Sequence, residues 1–585
     1  MGSSSGEAVL GRPQSAFSGF MTRIGRPYAL VPFLIFLAFI MAYPIFMVIY
    51  ASFKGGPPGT DAPFTLQGYT TTWSEWSTYK ALITTFVLAV PRVATGVFFA
   101  IFVTWIICRT NTPLRGLFEQ ALWLRIFLPF LPMVVAWLLI AGGRSGILNR
   151  AIMDLFNLSK PPLDIQSYWG VIFMSLMNAG PMFFMYMSPA FRNMDASLEE
   201  SSRVSGASNI TTLFRITVPI MMPAILGITL LIFLFVLGSY ETELFLLAPK
   251  GVYVFSTWIW WTAGKMPPDY PAAMAMSSAF LLFVSVVIFL QFKVLGKRQY
   301  VTVTGRGFGV RLLDLGKFKW AAFSLLAAWT LIGLVFPLVM LILGTIQNTY
   351  GVFGTGFTLD YWKDALGRPS VIRSFKNTVV LGLMTATMGT ILYSLMSYMF
   401  LRTKLKWREG IEIVSWIPRA APAVVLGLGI VWAVLGGVPG LDVFYGTLIL
   451  MSVVIMLEAT PQGMRMMNGG MVQLSSELEE AARVSGASWA RTMRRVVIPL
   501  LAPTLLNAWL LSFLGSTRAL VVLLFIYVPS SKVLSIDIFE RMMTSQPQQA
   551  AILGVMLTIL SMAIAAIARL IAFSQRRQLE PAQIA

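Results

Sequence analysis

The chain has 585 residues, with 57% in the hydrophobic set, 12% charged and a formal net charge of +19. A soluble chain carries about 25% charged residues, so lipid is the expected solvent, and the basic excess has to be read by position before nucleic acid is entertained. Histidine is absent and Cys108 is the only cysteine, which excludes histidine triads, histidine metal sites and an intrachain disulfide.

A tail over residues 1–26 carries Arg23 and Arg26 and precedes the first uncharged run, 27–53. Further runs follow at 165–191, 216–240, 270–292, 320–359, 377–401, 420–441, 496–517 and 546–568. Each reaches the roughly 20 residues that a helix needs to cross about 30 Å of hydrocarbon. Shorter runs at 93–108, 126–143 and 443–457 become spans if they extend past Arg92, Arg125 and Glu458. The pattern predicts an all-α integral membrane protein of about twelve spans. Basic residues fall in every second connection: Arg109 and Arg115, then Arg192, Arg203 and Arg215, then a cluster from Lys293 to Lys319. Arg402, Lys404, Lys406 and Arg408 continue the series, followed by Arg483, Arg491, Arg494 and Arg495, and by Arg576 and Arg577. By the positive-inside rule these connections and both termini are cytoplasmic, so the charge addresses a membrane and no nucleic acid.

The chain is also written twice. The segment Glu199-Glu200-Ser201-Ser202-Arg203-Val204-Ser205-Gly206 returns 280 positions later as Glu479-Glu480-Ala481-Ala482-Arg483-Val484-Ser485-Gly486. Pro181, Pro219 and Pro223 are answered by Pro461, Pro499 and Pro503, while Arg109-Thr110 and Arg402-Thr403 close the second span of each half. This predicts a first six-span half over 27–298, a basic linker over 299–318, a second half over 319–575 and a tail over 576–585. With six spans per half both copies run the same way, related by a pseudo-two-fold along the membrane normal and enclosing a shared path.

The repeated element reads as a short helix and a break. Glu480-Ala481-Ala482 favours a helix with its acid near the N-terminus, Gly486 can close it in the left-handed conformation, and Pro499 can open the next span. Spacing and placement resemble the coupling loop of permeases in binding-protein-dependent ABC importers, with Ser201-Ser202 standing for the usual two alanines in the first copy. That resemblance implies a helix that docks an ATPase subunit, with Glu200, Ser201, Ser202, Gly206, Glu480, Ala481, Ala482 and Gly486 as the contact points. It implies two copies of that ATPase, an external solute-binding protein, and a place in the bacterial inner membrane. The segments Gly146–Asn149, Val252–Thr257, Pro267–Tyr270 and Tyr300–Gly305 look like fused permeases of iron(III)-type importers, whose relatives move polyamines, thiamine or phosphonates.

No phosphate-binding loop is present, since Gly264-Lys265-Met266 lacks the upstream glycine and the following hydroxyl. No cofactor is therefore expected on this chain, and ATP and magnesium belong to the partner subunits. No nucleophile stands beside a base, which argues against a membrane-embedded enzyme. A gradient-driven secondary transporter shares the twelve spans but has no use for two coupling loops. Charges inside spans are functional candidates by default: Arg92, Glu119, Arg125, Glu241, Glu243, Arg419, Glu458 and Arg518. Aligning Leu237–Glu241 with Leu514–Arg518 sets Glu241 opposite Arg518, a candidate gate pair or a static ion pair. Arg125, Arg419 and Glu458 complete the candidate translocation path, and the two arginines hint at an anionic or anion-complexed cargo.

Overall fold

The computed structural model describes residues 31–296, 312–350, 356–403 and 408–579. The expected tail over 1–26, the linker residues 299–311, the Tyr300–Gly305 segment, Lys404, Lys406 and residues 580–585 lie outside them. Among the described residues the fold is helical, with isolated bridges and no named strand.

The first half contains α1 (Val31–Ala51), α2 (Trp76–Arg109), α3 (Arg115–Phe127), α4 (Phe130–Ala141), α5 (Tyr168–Asn193), α6 (Ala196–Val204), α7 (Asn209–Leu237) and α8 (Tyr270–Gly296). The second repeats the series as α9 (Gly316–Ile346), α10 (Pro369–Arg402), α11 (Arg408–Ala420), α12 (Ala423–Leu435), α13 (Leu448–Val472), α14 (Glu477–Val484), α15 (Trp489–Arg518) and α16 (Pro547–Leu579). Nine of the described helices are long and apolar enough to cross a membrane, or eleven if each bent pair makes one span. Helix α13, 25 residues long, occupies in the second half the position of α5 in the first.

The third span of each half departs from the continuous helix expected over 126–143 and 420–441. α3 and α4 meet at 103°, and α11 and α12 at 98°. The cause is local: Leu128 precedes Pro129 and Ala421 precedes Pro422, and a residue before proline is pushed out of the helical region. Leu128 accordingly sits at φ −80° and ψ 136°. Two boundaries also move. The span expected to run to residue 359 ends at Ile346, and the one expected from 443 begins at Leu448, capped by the Thr447 hydroxyl.

Within each half the second helix is the spine, α2 against α5 and α7, and α10 against α13 and α15. The first helix of each half crosses over: α1 packs on α11 and α12, and α9 on α4. Leu37 and Met41 thus join the second half's core, and Leu326 and Trp329 the first half's. Small residues permit the crossing. A Cβ on Gly429 of α12 would lie 2.4 Å from the Pro44 carbonyl oxygen of α1.

Candidate functional site: coupling helices and the charged seam

Both repeated loops fold alike. α6 and α14 each end at a left-handed glycine, Gly206 at φ +87° and Gly486 at φ +77°. The Gly206 N–H donates to the Arg203 carbonyl and Ala207 to Ser202, while Gly486 donates to Arg483 and Ala487 to Ala482, so the last turns are satisfied identically. Ser208 and Ser488 cap the next helix, and a π turn follows at Leu213–Thr217 and Met493–Val497. Asp195 caps α6 by accepting from the Ser197 N–H at 2.9 Å, and that bond holds its carboxyl below the usual range.

The expected contact points fall on the outer surface of these helices: Ser201, Glu480, Ala481 and both glycines are exposed, and Glu200, Ser202 and Ala482 are partly covered. Val204 and Val484 are each 89% exposed at the tips. The buried acid is the one before, which sequence reasoning did not single out. Glu199 accepts from Arg109 Nε at 2.9 Å and Nη2 at 2.5 Å through Oε2, and from the Thr217 hydroxyl at 2.7 Å through Oε1. Glu479 lies 3.3 Å from Arg402 Nε and accepts from the Tyr398 hydroxyl at 3.2 Å. Each of the two short helices is thereby clamped to the C-terminal end of α2 or α10. The signal was present in the sequence, because Arg-Thr and Glu-Glu both recur in both halves.

The first clamp carries an extra strap. Leu313 donates to the Arg109 carbonyl at 2.7 Å and accepts from the Asn111 N–H at 3.0 Å. Asp314 accepts from Asn111 Nδ2 at 2.6 Å and from the Gly316 N–H at 2.9 Å, which holds its carboxyl below the usual range, and Asn209 donates to its carbonyl. A cleft of about 1170 Å³ opens beside α6, lined by Trp105, Glu200, Arg203, Ile210, Leu313 and Leu325 among others.

The intramembrane charges assort differently from the expectation. Glu241 and Arg518 do not form an ion pair. Glu241 opens the short helix Glu241–Leu246, within range of the charges on Arg518, Glu243 and Glu458. Arg518 bends instead toward α3, donating from Nη1 to the Ile126 carbonyl at 2.7 Å and from Nε to the Leu514 carbonyl at 2.9 Å. The break after α3 explains this, since it frees carbonyls that a continuous helix would use. Arg419 does meet Glu458, at 2.8 Å, and its guanidinium lies over the Phe235 ring at 4.8 Å. Arg125 is 2% exposed, and neither its Nε nor its Nη1 meets an acceptor among the described residues. Arg92 and Glu243 pair in the first half's core, with Ser175 at 2.7 Å from Arg92 Nε and Ser239 bridging both.

The family described as the binding-protein-dependent transport system inner membrane component matches residues 81–300 and again 379–577. The chain belongs to this family. The two matches make it a member with two tandem halves, each containing one of the repeated short helices. A ferric transport system permease protein, FbpB of Actinobacillus pleuropneumoniae, is 26% identical over 435 residues, 72% of this chain and 61% of that protein. A putative FbpB of Haemophilus influenzae is 25% identical over 67% of this chain and 61% of its own length. The chain therefore spans about three fifths of the length of these ferric relatives. The spermidine/putrescine permease PotC of Haemophilus influenzae is 25% identical over 41% of this chain and 91% of PotC. Among solved structures, a bacterial ABC transporter that imports the acidic polysaccharide alginate aligns at TM-score 0.38 with 18% identity, covering 44% of this chain and 96% of that one.

Proposed function

We propose that this chain is the permease subunit of an ATP-driven importer in the bacterial inner membrane, with both termini cytoplasmic. It receives solute from an external binding protein and moves it inward by alternating access between its halves. The observation that carries this reading is the matched pair α6 and α14. Each exposes its outer face while a buried glutamate ties it to the end of a spanning helix, so a push on the loop reaches α2 or α10 directly. Two ATPase subunits, one per loop, supply ATP and magnesium and close on nucleotide, carrying Glu200, Ser201, Ser202 and Gly206 on one side and Glu480, Ala481, Ala482 and Gly486 on the other. The favoured cargo is iron(III) or an anionic, complexed solute, in keeping with the ferric relatives and the arginines of the seam; polyamine, thiamine and phosphonate are the alternatives.

Reconstitution with the cognate ATPase and binding protein tests the reading. Uptake should require ATP hydrolysis, and Glu200→Ala with Glu480→Ala should leave hydrolysis running while abolishing uptake. Uptake that follows an ion gradient without nucleotide would assign the chain to secondary transport instead.

A further inference from the structure

We propose that Arg125 and Arg518 form an oxyanion-binding site on the seam between the two halves. Arg125 lies in the last turn of α3 and is 2% exposed, with Nε and Nη1 unpaired among the described residues. A buried donor without an acceptor costs about 1–3 kcal/mol, and more when it is charged, so the fold retains this group at a loss unless a negative partner compensates it. Three further observations point to an anion. Arg518 meets the same turn of α3 through the Ile126 carbonyl and lies within range of the charge on Arg125, so a second cation stands beside it. Of the neighbouring carboxylates, Glu458 is held by Arg419, Glu243 by Arg92, and Glu241 lies within range of the Arg518 charge, which leaves Arg125 without an acid of its own among the described residues. The turn after Arg125 begins α4, a 12-residue helix whose first N–H groups lack intrahelical acceptors and whose dipole favours negative charge.

Guanidinium forks bind carboxylate and phosphate groups in the plane, often through two parallel hydrogen bonds. The Arg125 fork, with the Arg518 N–H groups that the Ile126 and Leu514 carbonyls leave over and a helix N-terminus beside them, makes a receptor for one oxyanion. Because Arg125 belongs to the first half and Arg518 to the second, the anion would bridge the halves and enter as they part along the α3–α15 seam. The binding claim concerns the chain alone; that the natural anion is cargo rests on the importer reading above.

The test uses the purified full chain in phosphatidylcholine nanodiscs, without ATPase, so that its outcome is separate from any failure of transport. Inorganic phosphate is titrated and followed by tryptophan fluorescence and calorimetry. The expected result is saturable binding weakened at least tenfold by Arg125→Met and by Arg518→Met, retained by Arg125→Lys, and unchanged in the exposed Lys363→Met, with melting temperatures recorded to exclude misfolded variants. A parallel arm adds phosphatidylglycerol. Phosphatidylglycerol retained through delipidation by the native chain and not by Arg125→Met, with no free phosphate bound, assigns the oxyanion to a lipid headgroup and still supports the site. Equal phosphate binding and equal lipid retention by the native chain and a folded Arg125→Met overturn it.

Discussion

At the break between α3 and α4, Arg125 is covered and unpaired while Arg518 crosses from the other half to the Ile126 carbonyl. At the matching break between α11 and α12, Arg419 is paired with Glu458 and stacked on Phe235. The clamps differ in the same sense. Glu199 is gripped by two nitrogens of Arg109 and a threonine, whereas Glu479 is held at longer range; both arginines also serve carbonyls, Arg109 that of Met194 and Arg402 those of Met471 and Leu474. In the core, Arg92 and Glu243 have counterparts at Thr385 and Leu520, so one half keeps a buried ion pair where the other is uncharged. Duplication has thus preserved the backbone while the charges diverged, and a symmetric frame is left with an asymmetric electrostatic interior.

The largest test of that asymmetry is Arg109→Ala against Arg402→Ala. Removing Arg109 leaves Glu199, at 1% exposure, with no cation and only the Thr217 hydroxyl, and should cost about 3–5 kcal/mol. Removing Arg402 leaves Glu479 with Tyr398 and should cost about 1–2 kcal/mol. Thermal unfolding in detergent reads the difference, and equal losses would mean the clamps are equivalent after all. Next, Glu458→Gln should lower stability by about 1 kcal/mol, because the Arg419 pair is roughly a quarter exposed and partly screened. Gly206→Ala and Gly486→Ala sharpen the contrast from the other side. Their backbones match and no neighbour lies within 4 Å of an added Cβ, so each should cost about 1 kcal/mol from left-handed strain alone. Unequal values would show that the loops differ in more than charge.

The smallest effect concerns pH. Asp195 and Asp314 have folded values below their usual 3.8, so their contribution is complete above that value and disappears as pH falls through the lower folded one. Both lie in the first half's loop and strap. Hydrogen exchange across α6 should therefore rise below about pH 4 before exchange across α14 does. Simultaneous loosening would deny the strap its role.

Much of this was legible in the sequence, for stated reasons. Twelve apolar runs and a repeated Glu–Gly element suffice for an all-α fold in two halves, because lipid forces backbone groups to be satisfied within helices. The bends were written in Leu128-Pro129 and Ala421-Pro422 but were outweighed by the hydropathy around them. The Glu241–Arg518 pairing failed because alignment of two helices fixes position along each axis and not where a long side chain turns. The free carbonyl of Ile126, created by the break, drew Arg518 away. Glu199 and Glu479 went unnoticed because attention stayed on the next glutamate, which points about 100° around the helix from the clamp.

The crossing of α1 onto α12 has a consequence for how the protein is made. Gly429 follows Pro44 by 385 positions in the chain, and at about 5–20 residues per second a ribosome needs roughly 20–80 s to cover that distance. During that interval the first span rests in lipid without its eventual neighbour. Carrying both halves on one polypeptide ensures that the neighbour always arrives, in equal number and at a short tether's reach.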